Sequence, residues 1–330
     1  MNAILKKARE EKGLKTREVA QMLQIDQALI SKFESGTRKP TKEQIVKLAH
    51  LLNINLDTIL VLWLKERILH EIKNEKFALE ALKLVESELL KSEVIQPKTS
   101  EKLQKLVTEI NSLLQQFYNL NLLEYRRITK QLDLYFTFEC NSLNGNKMSF
   151  EEVKLIVNEG ISITDKPMKE HLEIINFFEA IQYCKELIQK KIDFCEKKLL
   201  QIYSILTQEI EPEISNQQPD KTTINELKIL FKWYEMSKDN IHPLILASET
   251  HLKIMQILPF RQYNNQIAFL IMNWILLQNK YSLIVIKSDR SEKENYIAEI
   301  EQSFTEDNIA NFSLLMAEAQ KATLEYALSL

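Results

Sequence analysis

The sequence predicts an all-α chain, and three observations carry that prediction. Glycine and proline are scarce, 4 and 7 among 330 residues, so few positions break a helix. Hydrophobic residues make up 45% of the chain, enough for a sizeable core, and Leu, Ile, Lys and Glu dominate. Along most of the chain the apolar residues recur at helical spacing. The length allows two domains or more. The longest apolar run, Ile267 to Leu277, is too short to cross a bilayer. Charges begin at Lys6 and Lys7, so no secretory leader pattern opens the chain. Cys140, Cys184 and Cys195 have neither metal-ligand nor disulfide-framework spacing, and the five histidines form no His-x-x-x-His pair. The expectation is a cytoplasmic, reduced protein with no metal, no cofactor and no membrane contact.

Residues 1–62 read as five short helices. Leu5 and Ala8 belong to a first helix, stopped at Gly13. Val19, Ala20 and Leu23 line a second. Asp26 is a good N-cap for a third, Gln27 to Glu34, which ends at Ser35-Gly36. A fourth runs from Thr41 to Leu52 with Ile45, Leu48, Leu51 and Leu52 inward. Leu56, Ile59 and Leu60 open a fifth. The net charge of the chain is −3, yet residues 1–68 hold 13 Lys and Arg against 8 Asp and Glu. A basic head on an acidic body points to a polyanion as the partner of the head.

This head resembles the Cro and phage-repressor (XRE) type of helix-turn-helix domain. The residues that carry the resemblance are Leu14 through Ala20, Ile30 through Pro40, and Leu48-Ala49 with Leu52-Asn53-Ile54. The resemblance implies that the third helix enters the major groove of double-stranded DNA by its N-terminus. Gln27, Ala28 and Lys32 then become the base-edge candidates. Glutamine pairs with adenine, lysine reaches guanine and alanine touches a thymine methyl. Thr16, Arg17, Thr37, Arg38 and Lys39 fall where the family contacts phosphates, which set register without reading sequence. Thr16 stands where the family usually has glutamine. Arg9 and Glu34 occupy the positions of a structural ion pair.

Residues 63–130 read as a helical connector. Trp63, Leu64, Ile68, Ile72, Phe77, Leu79, Leu82 and Val85 repeat at roughly helical spacing, and Pro97 interrupts the run. Leu103, Val107, Ile110, Leu113, Leu114, Phe117 and Leu122 start again beyond it. Such stripes serve core or helix–helix packing, and part of this stretch is expected to make the head a homodimer.

Residues 131–330 form the third region. Leu258-Pro259-Phe260-Arg261-Gln262-Tyr263-Asn264-Asn265-Gln266-Ile267-Ala268-Phe269 is a short loop between two apolar helical runs. It resembles the active-site loop of Fic (Fido-fold) proteins, H-P-F-x-[D/E]-G-N-G-R-x-x-R, which move AMP or a related group onto protein hydroxyls. Pro259, Phe260 and Asn264 keep the frame. Leu258 stands at the histidine that acts as general base. Gln262 stands at the acidic magnesium ligand, Tyr263 and Asn265 at the two glycines of the anion nest, and Gln266 and Phe269 at the phosphate-clamping arginines. After Gly160 the chain has no glycine at all. Upstream, Phe138 to Val153 resembles the family's autoinhibitory segment, with Cys140 at the serine, Asn144 at the inhibitory glutamate and Gly145 after it. Both halves of one electrostatic pair are thus replaced.

The remaining landmarks follow the same fold. Gly160 to Pro167 reads as the turn before a helix Met168 to Ile188, and Leu199 to Leu206 as the next family helix. Glu211 to Asp220 falls at the target-docking flap, but it is short, polar and has no alternating strand pattern. His251 lies about two turns before the loop and reads as a packed residue rather than a base. The expected function is sequence-specific DNA binding and transcriptional regulation, with a catalytically inactive Fic-like body for dimerisation, partner binding or sensing. The alternatives are a divergent nucleotidyl transferase and a scaffold for an active Fic partner.

Overall fold

The computed structural model describes residues 1–73, 75–93, 100–210, 219–306 and 309–330. They form two compact units, Met1–Glu88 and Leu89–Leu330. Sixteen helices and no strand are found among the described residues, so the fold is all-α.

The first unit contains α1 (Asn2–Glu11), α2 (Thr16–Leu23), α3 (Gln27–Ser35), α4 (Lys42–Leu52), α5 (Leu56–Ile72) and the start of α6 (Ala78–Glu93). Its helix ends lie where the side chains dictate. Asp26 accepts from the Ala28 N–H at 2.6 Å to start α3. Thr41 and Gln44 form a capping box at the start of α4. Gly36 ends α3 at φ +77°, left-handed backbone that favours glycine; a Cβ there would also push aside the Asn2 side-chain amide. Val19, Ile30, Phe33, Ile45, Leu48 and Ile59 close the core.

The expected boundary at 62/63 does not hold in the structure. Helix α5 runs through it to Ile72. Trp63 belongs to the first unit's core and donates its indole N–H to the Pro40 carbonyl at 2.8 Å. Leu103, Ile110, Leu114 and Phe117, further along the expected connector, are buried in the core of the second unit. The described connector is therefore divided between two cores, because its apolar stripes have partners on both sides.

The second unit comprises α7 (Glu101–Tyr118), α8 (Leu122–Leu143), α9 (Phe150–Glu159), α10 (Met168–Gln189), α11 (Glu196–Leu206), α12 (Lys221–Ser237), α13 (Pro243–Ile257), α14 (Asn264–Gln278), α15 (Arg290–Glu306) and α16 (Ile309–Ser329). Helix α14 is apolar all round and buried from Gln266 to Leu276, as a central helix must be. It packs on α10, α11 and α13, while α7 lies along α16. Between α14 and α15 an irregular segment carries Leu283, Ile284, Val285 and Ile286 into the core. Side chains satisfy much of its buried backbone. Asn273 exchanges two hydrogen bonds with Ile284, Thr323 accepts from the Val285 N–H, and Gln320 donates to the Ser282 carbonyl. Residues 211–218, most of the expected flap, lie outside the described residues.

Candidate functional sites

The loop between α13 and α14 is built on the residues that keep the frame. Phe260 is buried and stacks on Tyr203, with ring centroids 3.7 Å apart and planes within 6°. Asn264 closes a ring on the same residue: its Oδ1 accepts from the Phe260 N–H at 2.9 Å and its Nδ2 donates to the Phe260 carbonyl. Pro259 is buried beside it. This clamp holds two non-glycine residues in left-handed backbone, Leu258 at φ 47° and Tyr263 at φ 67°. Each such residue costs about 1–2 kcal/mol, which the surrounding contacts must offset.

The side chains between these anchors differ from those of an active loop. Leu258 is 54% exposed and offers no proton acceptor. Gln262 is exposed and uncharged. The Tyr263 hydroxyl donates to Glu173 Oε1 at 3.2 Å, which places a carboxylate beside the loop. Gln266 is buried. Phe269, 1% exposed, lies against Tyr296 at 5.3 Å and meets the edge of His251 at 4.7 Å, with Phe312 completing the cluster. Where a clamp would need a cation, the protein has packed aromatic rings. Among the described residues no three His, Cys, Asp or Glu side chains gather as a metal ion would require.

A hydrogen-bond chain links this cluster to the segment after α8. Tyr296 donates its one hydroxyl proton to Asn265 Oδ1 at 2.6 Å, so His251 Nε2, 2.7 Å from the same hydroxyl, carries the ring proton. Asn265 Nδ2 donates to Asn144 Oδ1 at 3.2 Å, and Asn144 Nδ2 to the Cys140 carbonyl at 2.7 Å. The structure thus brings Asn144 to the loop, through Asn265 rather than through Phe269. Cys140 is buried, and burial pushes its thiol pKa well up. Gly145 turns the chain at φ +97°. Sequence reading missed Tyr203, Glu173 and Tyr296, which lie far from the loop in the chain and have no local signal.

His251 is fully buried, and burial pulls its pKa down to about 3, the Ala268 backbone opposing. The native state therefore refuses a proton that the unfolded chain takes up near pH 6.5. Stability from this group is complete above pH 6.5 and is lost as pH falls toward 3, at up to about 1.4 kcal/mol per pH unit. His251→Gln removes the titration and keeps a donor for Tyr296. Denaturant unfolding between pH 6 and 4 should show a stability slope shallower by about one proton in this variant. Equal slopes would mean that His251 already carries its charge when folded.

The exposed face of α3 is built differently. Ile30 and Phe33 turn inward, which leaves Gln27, Ala28, Ser31 and Lys32 on the surface. Gln27 Nε2 donates to Thr16 Oγ1 at 3.3 Å, so Thr16 at the start of α2 orients the glutamine. Arg17, Thr37 and Arg38 are exposed around this face. Lys39 differs: its ammonium donates to the Glu66 carbonyl at 2.6 Å and is half-buried, so a phosphate contact there would have to replace that bond. Arg9 and Glu34 form the ion pair expected of them, two-pronged at 2.6 and 2.9 Å, and Arg9 also donates to the Leu14 carbonyl. That network ties the start of α2 to the end of α3.

Residues 5–59 match the helix-turn-helix family model, and residues 193–276 match that of the Fic/DOC family. The protein adenylyltransferase Fic of Culex quinquefasciatus is 24% identical over 217 residues, 61% of this chain and 42% of that protein. The protein of the same name from Nematostella vectensis is 24% identical over 219 residues, 61% of this chain and 51% of that one. The chain thus spans about half the length of the curated relatives it matches. A Fic domain containing signaling protein from Bacteroides thetaiotaomicron superposes with a TM-score of 0.60 at 22% identity, covering 68% of this chain and 96% of that one. Fic-1 from C. elegans does so with a TM-score of 0.62 at 16% identity, covering 99% and 97%. The chain carries a helix-turn-helix head, and its body has the Fic fold.

Proposed function

We propose that the protein is a sequence-specific DNA-binding regulator whose Fic-like body does not transfer AMP. The observation that carries this reading is the outer face of α3. Gln27, Ala28 and Lys32 stand exposed on a helix that Asp26 caps and the Arg9–Glu34 pair holds in place. A glutamine and a lysine on such a face read base edges, while Arg17 and Arg38 beside them neutralise phosphates. The head acts as a two-fold dimer, and the body serves as a module for partner binding or sensing. The loop supports inactivity of the body, since Leu258, Gln262 and Phe269 supply neither base, metal ligand nor clamp. No described helix is long and apolar enough to cross a membrane.

Fluorescence anisotropy of the full chain on mixed-sequence duplex at physiological salt tests the DNA reading. The wild type should bind at least about tenfold more tightly than a Gln27→Ala/Lys32→Ala/Arg38→Ala variant, a loss of some 1.4 kcal/mol or more. Equal binding would overturn the reading.

A further inference from the structure

We propose that the DNA-binding face continues beyond the helix-turn-helix itself, into a basic pocket where Arg67 of α5 and Lys42 of α4 hold a backbone phosphate of the duplex. This inference rests on the DNA reading above and adds a contact to it. The match to the helix-turn-helix model ends at residue 59, whereas α5 runs on to Ile72 and carries Arg67 and His70 beyond that limit.

The argument starts from two bonds that tie the extension of α5 to the α3–α4 loop, the stretch that also carries Thr37 and Arg38. Trp63 is buried and donates its indole N–H to the Pro40 carbonyl at 2.8 Å. The Lys39 ammonium donates to the Glu66 carbonyl at 2.6 Å. A pocket of about 380 Å³ opens beside these ties, with Pro40, Thr41 and Trp63 in its lining. It is therefore continuous with the loop whose residues stand at the phosphate positions of the head. Its charge has one sign. Lys39, Lys42 and Arg67 are set against Glu71 alone, and the Glu71 carboxylate lies 3.4 Å from His70. A cluster of cations at the edge of such a face attracts the nearest part of a polyanion.

Arg67 is set up to grip a phosphate. Its guanidinium carbon lies over the Trp63 ring, 4.9 Å from the centroid, and the bond to Pro40 fixes that ring. An arginine laid on an aromatic face keeps its planar fork of donors, which matches a phosphate, and loses less side-chain freedom when it binds one. Lys42, exposed at the first position of α4, adds a point charge from the other side of the pocket lining. Lys39 has a different part. With its ammonium held by the Glu66 carbonyl it keeps the extension of α5 against the loop, and Arg67 and Lys42 take the phosphate.

The test measures binding of the full chain to mixed-sequence duplex over a series of salt concentrations. Arg67→Gln/Lys42→Gln should weaken binding by about threefold or more and lower the slope of log K against log salt by about one unit, the signature of one lost phosphate contact. Arg67→Lys should keep most of the slope, because the charge remains, and bind less tightly, because the fork is gone. Lys65→Gln/Lys73→Gln removes the same charge from exposed positions outside the pocket lining and should leave the slope as in the wild type. All of these side chains are exposed, so no core contact is lost with them. If the pocket variant binds with the wild-type affinity and slope, or if the control loses as much as the pocket variant does, the proposal is overturned and the DNA reading stands. If the wild type binds no better than its Gln27→Ala/Lys32→Ala/Arg38→Ala variant, both fall together.

Discussion

Gln27→Ala and Lys32→Ala are each expected to cost on the order of 1–3 kcal/mol of binding to a preferred duplex, and to relax the preference at particular base pairs. Arg38→Ala is expected to weaken preferred and scrambled duplexes about equally, and to lower the salt slope by about one unit. The two classes differ because base edges vary between sequences and phosphates do not. The structure sharpens the contrast. Gln27 is oriented by Thr16 and Lys32 is exposed on the same face, whereas Arg38 lies beyond the end of α3, where its N–H bonds the Lys32 carbonyl. Binding isotherms on matched and scrambled duplexes at four salt concentrations separate the two. Equal losses on both duplexes for Gln27→Ala would remove it from the base-reading set.

Phe269→Arg, which restores a clamp residue, is expected to destabilise the body by about 4 kcal/mol and to create no activity. Phe269 is buried against Tyr296 and His251, which both touch Phe312. The substitution loses that packing and buries a charge that no carboxylate of the cluster meets. Leu258→His should fold, because Leu258 is largely exposed, yet it too should transfer nothing. The clamp, the nest and the metal ligand would still be missing, each worth several kcal/mol in the transition state. Denaturant unfolding checks the first expectation; labelled ATP with magnesium, against a heat-killed control, checks the second. A stable Phe269→Arg protein, or label carried by either variant or by the wild type, would show the pocket to be more intact than this account holds.

Much of this was legible in the sequence, because it rests on local chemistry. Asp26, Thr41 and Ser149 each cap the helix that follows, and Gly36 and Gly160 end the helices that precede them, as short-range rules dictate. The loop's frame was legible because Phe260 and Asn264 bond to each other across four residues. The chain from His251 through Tyr296 and Asn265 to Asn144 was not, since its links span 45, 31 and 121 residues. No periodicity encodes such separations. The extent of α5 was hidden for another reason. An apolar stripe has the same spacing whether it faces its own unit or another, and the Trp63–Pro40 and Lys39–Glu66 bonds assign it to the head. The buried segment around Ile284 carries no strand signal because side chains, not a neighbouring strand, satisfy it.

Unbiased selection of duplexes bound by the full chain tests the central claim most directly. If the head reads sequence as a two-fold dimer, the enriched sites will be inverted repeats with half-sites about 10–10.5 bp apart, centre to centre. Selection that enriches no motif, from a pool the wild type does bind, would contradict it.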